Sequence, residues 1–469
     1  MTFAACGSTA QGVGDASGGM ATSGTGGMST SGVVGSGGTA DIAGSNAGSG
    51  GQPIGTGGTG GSGGQTGSAG ATASGGTGGS GGEAGVGGTG PTGGPVKFLP
   101  NVKVNDDTGS ADQMETFVAA GPNGTVLVSW VDYRSGLNCG FAASDDGGTT
   151  FKKNVLIKPA GGNITGDATA GVDGVGTLYA VCQDYGISQV RVMTSLDKGD
   201  SWSAVKSAQS SPDKPWIAAS PAQPGTAFIS WLGGDAGVKR TTDNGETWGP
   251  VHELESLNHG TTLSVGSSGV VHVNFTPNGG NIRYARSKDL GDTWEPTRTI
   301  GQTGTFCWSN CGSRQNPILG GGSDPTGKYV TVVWAATYTG GEGDEDIWAI
   351  YSSDSGDNWS KPIKVNDNPN KSRQWQAWGS VDRLGRVHVV WSDMRNGKLD
   401  TYYARSLPDP TMGFEKNIQV NEKGGDVPAQ ILDYKGLAIS GDDVYVSFPD
   451  TRNGNVDIYF AKAPGAAGP

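Results

Sequence analysis

Five eight-residue segments of this chain repeat one pattern: SDDGGTTF from Ser144, SLDKGDSW from Ser195, TTDNGETW from Thr241, SKDLGDTW from Ser287 and SSDSGDNW from Ser352. They recur every 46 to 65 residues. The shared residues, SxDxGx[TSN][WF], are those of a tight turn. A short carboxylate can accept the backbone N–H groups of its own turn, and Gly can take the positive φ that such a reversal needs. The terminal aromatic then packs the hairpin down. A chain punctuated this way is built from repeated antiparallel units.

A second signal gives the number of units. Short β-rich runs end in an aromatic or Cys: TVLVSW at Trp130, TLYAVC at Cys182, TAFISW at Trp231, VVHVNF at Phe275, YVTVVW at Trp334, RVHVVW at Trp391 and DVYVSF at Phe448. Their spacings are 52, 49, 44, 59, 57 and 57 residues, so there are seven repeats with a period near 50. That period is too long for WD40 repeats, and the turn motif excludes kelch. Each repeat reads as four antiparallel strands, one propeller blade, with the turn joining the third strand to the fourth. The last repeat stops at DIYFAKA near Ala463, without its turn or fourth strand. The segment Asn101 to Asn105, NVKVN, resembles the closing strands IKVND at Ile363 and IQVNE at Ile418. It is expected to complete the last blade, which would leave no open sheet edge.

The eight-residue turn resembles the Asp box of the sialidase-like, or BNR-repeat, propellers. The resemblance implies an all-β fold, here a seven-bladed β-propeller of four-stranded antiparallel blades, whereas the enzymatic sialidases of this superfamily have six. It also implies that the turns decorate one face and that ligands bind the opposite face, at the central channel. A sialidase clamps a sugar carboxylate with three Arg and uses a Tyr paired with a Glu, plus an Asp acid/base. The Arg-Ile-Pro signature of that family is absent; the matching region reads KFLPNVKVN.

Composition divides the chain into a tail and one body. Residues 7–95 are almost entirely Gly, Ser, Thr and Ala, with 37 of the 86 Gly lying before residue 96. Such a stretch cannot bury enough apolar surface to offset chain entropy, so it is expected to be a disordered linker with a reach of roughly 50 Å. Residues 96–465 are expected to form the propeller. The tail holds three acids and no cation, which leaves 32 basic against 41 acidic residues, a net charge of −9, on the body. That balance argues against nucleic acid or anionic lipid as a partner. No run of 18 apolar residues exists, so no transmembrane segment is expected.

Residues 1–6, MTFAAC, resemble the end of a bacterial lipoprotein signal peptide, with Cys6 where lipid would attach; the alternative is an ordinary N-terminus with a chance Cys. Lipidation implies a secreted or outer-membrane-anchored, extracytoplasmic lipoprotein. Cys307 and Cys311 flank a three-residue loop, and Cys139 and Cys182 fall in neighbouring repeats, so two disulfides are expected, with free thiols as the alternative. The four His show no ligand spacing with the Cys, and no metal or other cofactor is expected. A closed ring is expected to be monomeric.

Two loop sets face the expected ligand side. The inter-blade set repeats a tripeptide, Ser313-Arg314-Gln315 and Ser372-Arg373-Gln374, beside Trp308, Trp375 and Trp378. Arg with exposed Trp suits a carboxylated sugar, the fork of donors for the carboxylate and the ring for stacking; the alternative is packing between blades. The second set carries WxDxR turns at Asp132-Tyr133-Arg134, Asp393-Met394-Arg395 and Asp450-Thr451-Arg452, on blades that become consecutive once the ring closes. These three Arg could line one sector of the face, or each could pair with the Asp of its own turn. Candidate catalytic groups are Tyr434 near the inner strand of blade 7, with Glu115 and Asp112 before that of blade 1. Glu342, Asp344, Glu345 and Asp346 could hold Ca²⁺ or form a solvated acidic loop. Two functions stand: a module binding glycans, including acidic sugars, on its channel face without full sialidase catalysis, and a sialidase-like glycoside hydrolase. A protein-binding surface propeller is a third.

Overall fold

The computed structural model describes residues 94–469 apart from 161–164, 211–212, 233–235, 256–258, 278–279, 305–317, 338–343 and 429–432. The linker and Cys6 lie outside the described residues, as do Trp308, Arg314, Cys307, Cys311 and Glu342. The described chain forms seven four-stranded antiparallel sheets, arranged as the blades of a propeller. Strand order within blades 1 to 6 follows the sequence from the channel outward, beginning with inner strands Gln113–Ala120, Thr165–Val172, Asp213–Ala219, His259–Val265, Gly320–Ser323 and Gln374–Val381.

Blade 7 has Gly436–Ser440 innermost, and its outer strand is Val102–Lys103, paired antiparallel with Asp457–Ala463. The N-terminal strand thus closes the ring. Its flanking asparagines reinforce the seam. Asn105 Oδ1 accepts Ile458 N–H at 2.8 Å, while its Nδ2 donates to Asp457 at 2.9 Å and Gln113 at 3.0 Å. Asn366 and Asn421 make the same acceptor bond to Ile347 and Thr401 N–H in blades 5 and 6. The V-N dipeptide shared by the three closing strands is therefore a strand extension made by a side chain.

The second strand of every blade is buried along nearly its whole length, because neighbouring blades cover both of its faces. This is why those strands read as unbroken β-branched and aromatic runs rather than as an alternation. Trp130, Trp231, Trp334 and Trp391, one or two residues before the ends of four of them, are fully buried. The cores lie between blades: Leu127 and Phe141 of blade 1 pack with Ala168 and Leu178 of blade 2, and Tyr179 and Val181 of blade 2 with Ile217 and Ile229 of blade 3. A disulfide between Cys139 and Cys182 joins blades 1 and 2 inside that packing.

All five repeated turns share one geometry. Ser144 Oγ donates to Asp146 at 2.8 Å and accepts Gly148 N–H at 2.9 Å, and Asp146 in turn accepts Thr150 N–H at 3.0 Å. The same three bonds recur from Ser195, Thr241, Ser287 and Ser352. In each turn two successive residues have positive φ, the second always Gly. That Gly faces the preceding blade in all five, and in four a Cβ would clash: on Gly148 it would lie 2.1 Å from Phe460, on Gly199 2.4 Å from Ala143, on Gly291 2.6 Å from Phe228 and on Gly356 2.2 Å from Tyr284, whereas on Gly245 it would sit 3.6 Å from Thr194. The turns share their face with the first hairpin of each blade, since Gly147 N–H bonds Gly124 O and Leu290 N–H bonds Gly269 O.

Candidate functional site

Away from the turns, the inner strands of blades 1, 2, 3, 4 and 6 begin with the same irregularity. Register slips by one residue between Met114 and Phe117, Gly166 and Thr169, Asp213 and Trp216, His259 and Thr261, and Trp375 and Trp378. Each bulge holds a residue of positive φ: Glu115 (51°), Asp167 (48°), Lys214 (45°), Gly260 (48°) and Gln376 (56°). A left-handed backbone costs a non-glycine residue about 1–2 kcal/mol. Four such residues in equivalent places therefore mark where the fold tolerates strain to aim side chains, a known use of bulges.

Those side chains meet at the channel mouth, with Asp167 as the hub. Tyr434 Oη donates to Asp167 at 3.0 Å, Lys214 Nζ lies 3.3 Å from the same carboxylate, and Tyr185 Oη donates to its other oxygen. Lys214 also bonds Asp433 at 3.0 Å and sits 5.0 Å above the Tyr434 ring. Tyr185 Oη is 3.4 Å from Asp213. Gln376 accepts from Ser392 Oγ at 2.6 Å and reaches the Tyr434 carbonyl at 3.5 Å. Asp167, Lys214, Asp433 and Tyr434 are all buried. An aromatic floor spans the channel beneath them: Trp216 lies 4.6 Å from Trp378 and 5.1 Å from Tyr434, with Phe117 edge-on to both tryptophans. The buried Trp216 Nε1–H has no hydrogen-bond partner among the described residues. Below the floor, toward the turns, a cavity of about 230 Å³ is lined by small residues such as Ala119 and Gly171 together with larger apolar ones such as Ile217, Leu263 and Leu437.

Electrostatics fix the protonation states. Burial alone would discharge Lys214, but Asp167, Tyr434, Asp433 and Glu115 outweigh it and hold the amine well above the usual lysine value. Burial, reinforced by Asp167, pushes the phenols of Tyr434 and Tyr185 well above theirs. The site therefore presents neutral phenols donating to a carboxylate beside one ammonium.

Of the sequence candidates, Tyr434 and Glu115 belong to this cluster, Glu115 through its field on Lys214 and Tyr434. Asp112 does not: its carboxylate accepts Val456 N–H at 2.9 Å in the seam between blades 7 and 1. Arg134, Arg395 and Arg452 do not converge. Each pairs with its own turn's Asp132, Asp393 or Asp450 at 2.7–2.8 Å. Each then reaches Asp106, Asp367 or Glu422 on the preceding inter-blade connection, at 2.5, 2.7 and 3.1 Å. Arg373 pairs with buried Glu345 of blade 5 at 3.1 Å. Trp375, expected as an exposed sugar platform beside it, is buried between blades 5 and 6, because a strand covered on both faces has no outward side there. In the acidic loop Asp344, Glu345 and Asp346 pair with Lys371, Arg373 and Lys364. No group of three metal-ligating side chains occurs among the described residues.

The residue pattern pointed to neither Asp167 nor Lys214, Gln376, Asp433 and Tyr185. A positional signal existed. Glu115, Asp167, Gly260 and Gln376 each stand fifteen residues before the aromatic or Cys that ends the second strand (115 and 130, 167 and 182, 260 and 275, 376 and 391). Their identities differ, so no motif betrays them.

No family model and no curated protein matches the chain. Among solved structures it is similar to a Dyadobacter fermentans protein of unknown function, at 14% identity over 79% of this chain and 99% of that one, with a TM-score of 0.47. It is also similar to the Hadza microbial sialidase Hz136 (16% identity, 61% and 64% of the two chains, TM-score 0.42) and to an α-L-arabinofuranosidase of Fusarium graminearum (14%, 78% and 97%, 0.44). Functional assignment rests on the site itself.

Proposed function

We propose that this chain is an extracytoplasmic glycan-recognition propeller that seats its ligand at the channel mouth, over Asp167 and the aromatic floor. The observation that carries this reading is the convergence of polar side chains from blades 2, 3, 6 and 7 around Asp167 and Tyr434, beside three aromatic rings. Carboxylates, an ammonium and an unpartnered indole N–H suit sugar hydroxyls, and the rings suit the apolar face of a pyranose. The buried Cys139–Cys182 bridge fits an oxidising compartment, and lipid at Cys6 would tether the chain there. The ring needs no second copy to close, so the monomer is the proposed unit.

A hydrolase is the second reading, favoured by the Tyr434–Asp167 pair, in which the carboxylate is placed to take the phenol proton. Among the described residues Arg134, Arg373, Arg395 and Arg452 are each engaged in blade seams, so these four do not form a carboxylate clamp. The test is a glycan array run beside a panel of fluorogenic glycosides, using the full chain, Asp167→Asn and Tyr434→Phe. Retention of a glycan that Asp167→Asn abolishes, without turnover, is the expected result. Turnover lost in Tyr434→Phe would replace it with the hydrolase, and an array with no retained glycan would overturn the glycan reading.

A further inference from the structure

We infer that the Cys139–Cys182 bridge, together with Arg191, is the positioning device of Asp167, so that the channel mouth is assembled only when the bridge is formed. In each of the five bulges, two residues of the inner strand face one residue of the second strand: Trp130 in blade 1, Cys182 in blade 2, Trp231 in blade 3, Phe275 in blade 4 and Trp391 in blade 6. Four of the bulges are therefore backed by a ring. Behind Asp167 the ring is replaced by a sulfur, which is tied to Cys139 of blade 1.

The exchange involves several positions at once. Trp130 and Trp231 lie across from Gly140 and Gly237 on the third strand, and a Cβ on Gly140 would come within 2.4 Å of its Trp. Cys182 lies across from Arg191 instead. Trp130 and Trp391 donate their indole N–H to Asp132 and Asp393, two residues further on, at 2.8 Å. The equivalent Asp184 accepts from Arg191 at 3.2 Å. Arg191 and the bridge thus divide the two jobs of a tryptophan, bonding the Asp and filling the space behind the bulge.

Blade 1 holds the backbone on both sides of Asp167. Cys139 Sγ sits 3.3 Å from the Gly166 carbonyl oxygen, and Ser129 Oγ donates to the Ala168 carbonyl at 2.9 Å. Ala168 and both sulfurs are buried in one cluster. A strained backbone persists only where its surroundings over-determine it. Asp167 has a φ of 48° and bonds Tyr434 and Lys214. With two unlinked small side chains behind it, the left-handed turn loses its support and the carboxylate its aim.

Two variants of the full chain test this. Cys139→Ser/Cys182→Ser removes the bridge, and Cys139→Val/Cys182→Trp/Arg191→Gly copies Val190, Trp231 and Gly237 of the next seam. The ligand-free readout is the indole N–H resonance of Trp216, whose ring lies 5.1 Å from Tyr434, assigned through Trp216→Phe. In the serine pair that resonance should move while those of Trp334 and Trp359 in blade 5 stay, and in the rebuilt seam it should return. The consequence for binding rests on the glycan reading: a glycan retained on the array should bind the serine pair about tenfold more weakly, a ratio matching the strain of one left-handed residue, and regain its affinity in the rebuilt seam. A bridge that merely stabilises would lower the melting temperature and leave the Trp216 resonance and the affinity below melting unchanged; that result overturns the inference, as does equal movement of the blade 5 resonances. If the serine pair does not fold, the rebuilt seam decides, a native Trp216 resonance supporting the inference and a displaced one overturning it. An array that retains no glycan overturns the glycan reading, and the Trp216 resonance still decides the positioning role.

Discussion

Lys435 shows at the residue level how tightly the blades exclude water. It precedes the inner strand of blade 7, is 1% exposed, and donates from Nζ to Thr401 Oγ1 of blade 6 at 2.6 Å. Burial pulls its pKa down to about 7, with Asp450, Asp400 and Asp393 pulling weakly back. The unfolded chain titrates this amine near 10.5, so between pH 7 and 10.5 the unfolded state binds the extra proton and stability rises with pH. The expected gain across that window is on the order of 4 kcal/mol. In Lys435→Met the rise should vanish and neutral-pH stability should increase, as read by denaturant unfolding at about pH 7 and pH 9.5. An unchanged pH slope in the variant would show that the amine is solvated. His272 acts in the same sense at lower pH: burial, against Tyr284 and the Gly327 carbonyl, drives its pKa down to about 4, and its contribution is lost as pH drops from 6.5 toward 4.

At the scale of elements, two kinds of latch divide the ring between them. The repeated turns belong to blades 1 to 5 and press their Gly against the blade before. They add ion pairs across the same seams: Lys152 with Asp200, Lys206 with Glu246, Arg240 with Asp292 and Arg286 with Asp357. Blades 6 and 7 lack the turn, and blades 6, 7 and 1 carry the Asp–Arg latches on the other face. Gly356→Ala would force a Cβ to within 2.2 Å of Tyr284 Oη at φ 85°, and should cost about 3 kcal/mol. Arg395→Ala strands the buried Asp393 and should cost about 2–3 kcal/mol, with Arg395→Lys recovering less than half because one ammonium cannot bond Asp393, Asp367 and Asn417 together. Unfolding midpoints of the three variants check both numbers, and a neutral Gly356→Ala would remove the latch role. The turns were legible in sequence because identical residues solve an identical local problem five times. The channel mouth was not, because its ring of equivalent positions holds Glu115, Asp167, Lys214, Gly260 and Gln376, where the shared bulge fixes the backbone and leaves residue identity to vary. Trp375 shows the limit of residue type: it suggested a sugar surface, but the neighbouring blade buries it, and Arg373 beside it pairs with Glu345 of that blade.

For the whole molecule, the decisive contact is the one longest in sequence. Val102 pairs with Phe460 and Lys103 with Tyr459, and Asn101 exchanges hydrogen bonds with Glu422 of the blade 6 to 7 connection. Arg452 joins the same knot through Asn101 at 2.7 Å and Glu422 at 3.1 Å. The other seams are formed by neighbours in the chain, so only here does closure require ends more than three hundred residues apart to meet, at a loop-entropy cost that local strands avoid. Removing residues 1–105 should therefore leave six intact blades and a seventh with the unpaired edge Asp457–Ala463. An exposed edge templates association, so the truncated chain should elute as oligomers or aggregate where the full chain does not. Asn105→Ala is the milder counterpart. It removes the side-chain bonds to Ile458 N–H, Asp457 and Gln113 and should cost about 2–4 kcal/mol while leaving the backbone pairing in place. Light scattering on the truncated chain and denaturant unfolding of Asn105→Ala give separate readings of the edge and of the latch. A truncated chain that remains monodisperse with an unchanged midpoint would mean that packing between blades 6, 7 and 1 closes the ring without the pairing of Val102–Lys103 with Asp457–Ala463, and that Val102–Lys103 merely decorates blade 7.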